Sequence, residues 1–522
     1  MLLRAHTGFV LMALLLCCSV AASGAHAASR DVLSYDDARH LLARTGFGPN
    51  DTEVRAYVGL TRAQAVQRLL DGARTTAVTP LPASIADATT WRSPPGPNGS
   101  PEERKVFQRE QVREGLQLRA WWVQEMLSTP SPLTERMTLF WHNHFVSAQP
   151  KVRLTRLMAV QNATLRAHAL GNFGTLLHAI AKDPAMLVYL DAAQSRRGTP
   201  NENFAREVME LFTLGEGRYT EADIKEAARA FTGWSIDRST GRFIVRPGLR
   251  DDGDKTIFGK TARFDGDDVL DLLLARPETA QLVVTKLWRE FVSPEPDARA
   301  VARIARTFRD SQYDIRSALH DLLMSDAFWS ADHRGVLVKS PAEMVVGTLR
   351  QLDLHPADTM PFAVAMAGMG QNLFSPPNVK GWPGGEAWIN TSTLLMRKQF
   401  VERLTRGDDT AAAIMARAMS PEDGNADAMR PVPRQVLQPN GVADEDKLRA
   451  QRFARAMQRG LASVQFDSAR WMARLPGDSA ATRNQSAERL LLATAPQQPL
   501  DTTADSLGFV RSALLDAAFQ LK

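Results

Sequence analysis

Residues 199–234 read TPNENFAREVMELFTLGEGRYTEADIKEAARAFTGW, and two amphipathic runs with their punctuation are visible in them. In the first, Phe204, Val208, Leu211 and Phe212 fall at i, i+4, i+7 and i+8, the spacing of a buried helical stripe. In the second, Ile224, Ala227, Ala228 and Phe231 line up the same way. Gly215 and Gly233 close the two runs, and each suits the left-handed residue that ends a helix. Thr199-Pro200-Asn201-Glu202 predicts a start: a hydroxyl to accept from an orphan amide, a Pro where no donor is needed, and an acid reaching back to the cap. The same order recurs at Ser100-Pro101-Glu102-Glu103 and Ser340-Pro341-Ala342-Glu343, and more simply at Asp183-Pro184. The fold class that follows is mainly α, a multi-helix globular array. One patch breaks the pattern: residues 235–264 carry Phe243-Ile244-Val245 and Lys255-Thr256-Ile257-Phe258 between Gly and Asp, which reads as a small β-hairpin insertion.

The first run also holds more polar groups than amphipathicity requires: Asn201, Glu202, Asn203, Arg206, Glu207 and Glu210. Arg206 lies one turn from both Glu202 and Glu210 and can pair with either. Glu207 and Glu210, three apart, repel unless a cation sits between them: Arg206, a residue of another helix, or a metal ion. One reading is a structural ion-pair network. The other makes Glu207 a metal ligand, Glu202 or Glu210 a general base, and Asn201, Asn203 and Arg206 ligand contacts.

Working outward, LFWHNHF (residues 139–145) places two histidines two positions apart. On a continuous helix Leu133, Met137, Phe140, Trp141 and His144 share a face, and His142 lies about 200° around from His144. The pair binds one ion only if the helix ends near Trp141 and the chain runs extended. The alternatives are buried, hydrogen-bonded imidazoles, or a divalent-metal site of His142, His144 and Glu207. The segment 375–390, SPPNVKGWPGGEAWIN, packs two Trp, three Gly and two Asn into an irregular loop. Loops of that kind are functional or firmly anchored. Trp382 and Trp388 offer faces to sugar rings and cations, with Asn378 and Lys380 as polar tips; equally, both Trp side chains can pin the loop to the core. The Asp-rich runs 251–254 and 265–268 lack the register of a calcium loop and read as turns. No phosphate-binding loop, dinucleotide fingerprint or Gly-x-Ser-x-Gly occurs.

Composition narrows the class. Net charge is +5 on 63 basic and 58 acidic residues, interspersed without a basic run, which disfavours nucleic acid as a partner. Residues 1–27 have Arg4, an apolar core and Ala25-His26-Ala27, the outline of a leader cleaved after Ala27; with no preceding Arg pair, it suits the general secretory route. Removing it leaves +4 and discards Cys17 and Cys18, the chain's two cysteines, so the exported chain has no thiol. It would work in the periplasm or outside the cell, and no later stretch is long and apolar enough to span a membrane. Residues 28–405 form the helical core, 79–100 a surface loop, 406–446 a linker or mobile insertion, and 447–522 a set of C-terminal helices. A chain this long predicts two or three packed units.

Four motifs in order, ARHLLARTGFGP (38–49), LFWHNHF, the quoted stretch and PPNVKGWPGGEAWIN, resemble the bacterial family called domain of unknown function 1800 over about residues 36–400. The resemblance implies an exported protein encoded beside a second exported family, domain of unknown function 1501, as partner. It also implies a His where Arg250 stands, so this chain departs from the pattern there. The leading expectation is a non-catalytic binding or accessory protein of the envelope, with a glycan as a candidate ligand. The alternative is a metal-dependent hydrolase of an envelope polymer or small ester, in which a bound divalent ion supplies the hydroxide.

Overall fold

The computed structural model describes residues 31–86, 94–96, 98–237, 239–405, 460 and 464–522. The leader, the 406–446 segment and part of the 79–100 loop lie outside them. Helix α1 spans Tyr35–Thr45, α2 Pro101–Ser128, α3 Pro132–His144, α4 Thr155–Ala167 and α5 Glu202–Glu207. They are followed by α6 Glu221–Ala230, α7 Pro277–Phe291, α8 Pro341–Gln351, α9 Thr391–Leu404, α10 Ala480–Leu491 and α11 Ser506–Leu515, with shorter helices between. The chain is mainly α, as expected.

The starts expected at Ser100 and Ser340 are present as full capping boxes, each hydroxyl taking the amide three residues on while that Glu returns to the cap. Asp183 caps the Pro184–Tyr189 helix through the Met186 amide. The start expected at Thr199 is corrected: the cap of α5 is Asn201, whose side chain accepts from the Asn203 amide. Asn201 donates from Nδ2 to the carbonyls of Leu190 and Asp191, and this pair of bonds sets the entry of the helix two residues later than the Pro suggests. Beyond Glu207 the helix widens into a π segment, Val208–Leu214, before Gly215 stops it at φ 85°. An extra residue per turn rotates the stripe: Phe204, Val208 and Phe212 are buried, Met209 joins them, and Leu211 is only half-buried.

The β excursion is two hairpins among the described residues. β1 (Trp234–Ile236) pairs with β2 (Phe243–Val245), and β3 (Lys255–Ile257) with β4 (Lys260–Ala262), all antiparallel. The runs 243–245 and 255–258 therefore do not pair with one another; each finds a partner within a few residues, where closing the loop costs least.

The buried apolar side chains form one continuous cluster from Leu33 to Phe519. The described C-terminal helices pack on it. Leu521 bridges antiparallel to Val338, with Lys339 N donating to Gln520 O at 2.8 Å and Lys522 N to Leu337 O at 2.9 Å. This brings the last residues against the start of α8 and one wall of the site. No described helix is long and apolar enough to cross a membrane.

Candidate functional site

Helix α3 runs unbroken to His144, so the two histidines leave it in different directions. His142, 2% exposed, lies 4.7 Å from the Trp122 ring and 5.3 Å from Phe374, and Asn162 Nδ2 donates to its Nε2 at 3.0 Å. Burial, with Arg166 nearby, pushes its pKa down to about 3. It is a sealed neutral ring.

His144, 3% exposed, is fixed by the π segment that ends the first helical run of the quoted stretch. The last four carbonyls of a helix have no partner within it, and here they include those of Leu211 and Phe212. His144 Nε2 donates to Phe212 O at 3.0 Å, and Lys286 Nζ donates to Leu211 O at 3.0 Å and to His144 Nδ1 at 2.9 Å. A carbonyl accepts and an ammonium donates, so the imidazole is the neutral Nε2–H tautomer. Burial and Lys286 both hold its pKa well below the usual value. Lys286 itself, on α7, is lowered to about 8 by burial and then by Arg289.

Between the histidines, Asn143 holds the 375–390 loop. Its Oδ1 accepts from Trp382 N at 2.6 Å, and its Nδ2 reaches Trp382 O at 3.4 Å. Gly381 sits beside it at φ 87°, and a Cβ there would lie 2.2 Å from Asn143 Oδ1. Only glycine lets the loop take this path. Asn378 accepts the Lys380 amide at 2.8 Å and turns the chain, Trp382 and Trp388 are buried, and Lys380 is exposed.

These pieces enclose a cavity of about 470 Å³ between the end of α3, α7, the start of α8, the Trp loop and Lys522. That volume suits a small organic ligand. Five cations and two carboxylates line it. Arg136 pairs with Glu290 at 2.6 Å and with Glu343 at 2.8 Å, and Lys522 also pairs with Glu343. Lys286, Arg289 and Lys380 have no carboxylate partner among the described residues. Burial works against the charge of Glu343, but Arg136 and Lys522 hold its pKa down at about 2.

The polar helix stands apart. Arg206 makes a bidentate pair with Glu221 at 2.7 and 2.8 Å, in place of the expected Glu202 and Glu210. Glu210 accepts from the Tyr219 hydroxyl, and Asn203 Nδ2 reaches Leu190 O at 3.4 Å. Glu207 is half-buried, with its pKa raised by burial and by Glu210 and opposed by Arg206 and Lys380; that field is its link to the cavity rim. Asn201, Glu202, Asn203, Arg206, Glu207 and Glu210 are not in the cavity wall. His142, His144 and Glu207 are not brought together, and among the described residues no group of three or more His, Cys, Asp or Glu is placed to hold a metal ion. Of the residues singled out from sequence, the structure joins His144, Lys380, Trp382 and Trp388, and adds Asn143, Arg136, Lys286, Arg289, Glu290 and Glu343. Asn143 was in plain view inside LFWHNHF. Lys286 and Arg289 carried no signal, being ordinary members of an amphipathic helix.

Arg250, where the resemblance implies a His, lies 3.3 Å from Asp252 and 3.9 Å from Asp265, and it is not in the cavity wall. Asp251 and Asp265 are spent on turns and caps, accepting from the Gly253 amide and from the Asp267 and Asp268 amides respectively.

An α-helical array with two small hairpins and a cationic, Trp-walled cavity is the class that fold and site define. The chain matches, over residues 40–517, the family described as protein of unknown function (DUF1800), and it belongs to that family. The match runs past residue 400, where the motif resemblance ended, and takes in the C-terminal helices. No curated protein and no solved structure matches the chain.

Proposed function

We propose that this protein is an exported accessory protein of the bacterial envelope that binds, without transforming it, a ring-bearing anionic ligand such as an acidic sugar or the end of an acidic glycan. The observation that carries the reading is the composition of this cavity: Lys286, Arg289 and Lys380, without carboxylate partners among the described residues, share its wall with Trp382 and Trp388. Cations crowded in a partly dry pocket repel each other, and an anion relieves that repulsion with charge-assisted hydrogen bonds. Trp faces accept the apolar face of a sugar ring. The histidines support binding rather than metal chemistry, since each ring is already committed to protein partners. Export follows from the leader read at residues 1–27, and a member of the 1501 family is the partner the resemblance suggests.

Calorimetric titration with sodium glucuronate and with glucose tests this. The acid is expected to bind and glucose not, and Arg289→Ala with Lys380→Ala, both exposed, should abolish the heat without changing the helical spectrum. No binding of glucuronate, galacturonate or glucose 6-phosphate by the folded protein would sink the proposal.

A further inference from the structure

A second, much smaller cavity lies behind the first, sharing Glu343 and Lys522 as its wall. It measures about 20 Å³ and is bordered by Arg39 of α1, Lys339, Glu343 and Lys522, with Phe47 and Leu491 as apolar walls. Space of that size is on the scale of one water or one monatomic ion.

Its charges do not balance. Among the described residues Glu343 is the sole carboxylate side chain in the wall, and its oxygens are in use: Oε1 takes Arg136 and Lys522, and Oε2 accepts the Ser340 amide at 2.8 Å, while Asp36, outside the wall, attracts Arg39 from a distance. Arg39 is 6% exposed, its Nε has no acceptor among the described residues, and its Nη2 reaches only Ala493 O at 3.5 Å. Lys339 is 9% exposed, and its ammonium meets the Phe519 ring at 3.7 Å with no hydrogen-bond acceptor among the described residues. Two buried cations with unused donors therefore border one ion-sized hole. A buried charge must be neutralised or paired. Lysine can shed its proton, whereas a guanidinium keeps its own. A water would fill the hydrogen bonds and leave the charge. A small anion meets both demands.

We propose that this cavity is a site for a single halide-sized anion, chloride in ordinary solution, held between Arg39 and Lys339. The ion ties α1 to the segment before α8 and, through Lys522, to the C-terminal residues that pair with that segment. It is a structural site, independent of the ligand proposed for the larger cavity.

The test is thermal unfolding of the whole protein, exchanged into sodium gluconate and titrated with sodium chloride or bromide at constant ionic strength. Chloride and bromide are expected to raise the melting temperature saturably, by several degrees, and sulfate is not. Lys339→Met, close in volume, should lose the halide-specific rise. Bromide-soaked crystals of the unaltered protein should show an anomalous peak between Arg39 and Lys339, which keeps the test open should the variant fail to fold.

The competing account is a neutral Lys339. Burial lowers its pKa to about 7, with Arg39, Arg397 and Lys522 repelling it and Glu343 alone attracting. A lysine lowered on folding binds fewer protons in the native state, so stability would climb from about pH 7 toward the unfolded value of 10.5. With chloride bound the ammonium is retained, and that climb should flatten in chloride while persisting in gluconate. Identical curves in chloride and gluconate at every pH, or a full halide response in Lys339→Met, would overturn the proposal.

Discussion

On the helix that carries residues 201–210, charge is dealt with at the surface; between α3, α7 and α8, it is held inside. Arg206 takes Glu221 where both are wetted, Glu210 takes a tyrosine hydroxyl, and Asn201 caps the helix. Around the cavity, Glu343 and Glu290 serve Arg136 and Lys522, and three further cations are left over. The first arrangement asks little of its neighbours, since water screens each pair. The second is stable only if every buried carboxylate stays in place, and it leaves a standing attraction for an anion. Density of polar residues in sequence thus marks a well-capped helix, while the unbalanced charge comes from Lys286 and Arg289 on one helix and Lys380 on a distant loop.

Glu343 is where the contrast breaks most sharply. Removing its charge leaves Arg136 and Lys522 buried beside Lys339 and Arg397, so Glu343→Gln should cost about 3–5 kcal/mol in urea unfolding at pH 7. The pH dependence has a definite sign. Glu343 has a folded pKa of about 2 against 4.5 for the free side chain, so its contribution is complete above pH 4.5 and is lost as pH falls toward 2. The gap between the unaltered protein and Glu343→Gln should therefore close over that window. A gap that stays constant down to pH 2 would show that the residue acts by shape and not by charge.

A smaller effect is expected at the loop. Gly381→Ala forces a side chain into a left-handed backbone and against Asn143 Oδ1 at 2.2 Å. A loss of about 1–3 kcal/mol is expected, together with weakened glucuronate binding, because Trp382 is placed by the same contact. Unchanged binding in a destabilised Gly381→Ala would separate the loop's anchoring from the site and weaken the assignment of its Trp wall.

What could be read in advance follows the same division. Capping boxes, the Gly stops and the buried stripe of α6 depend on residues a few positions apart, so the sequence displays them. The π segment was hidden because a stripe at i, i+4, i+8 does not reveal one extra residue per turn, and it is what sends the Leu211 and Phe212 carbonyls to Lys286 and His144. Trp382, Trp388 and Lys380 could be picked out because an irregular loop that is rich in Trp and Gly is unusual. Lys286 and Arg289 could not, because on an amphipathic helix a lysine at the edge of the apolar face looks the same whether it meets water or a cavity. Asn143 carries no comparable signal, because an asparagine between two histidines has no distinctive chemistry of its own.

The smallest effect belongs to Glu207, a candidate metal ligand in the sequence. It is half-buried, beside Glu210 and in the field of Lys380 at the cavity rim, with its pKa raised. A carboxylate raised on folding favours the native state while protonated and loses that contribution as pH rises through its folded pKa. Glu207→Gln removes the repulsion with Glu210 and keeps a polar side chain of the same size. It should change stability by no more than about 0.5 kcal/mol at pH 7. If anything it should be the more stable form at neutral pH, with the difference fading as the medium is acidified. Melting curves between pH 4 and 8, alongside glucuronate titrations, resolve the matter. Loss of binding with the fold intact would move Glu207 from the structural side of the comparison to the functional one, and would extend the site from the cavity onto the polar helix.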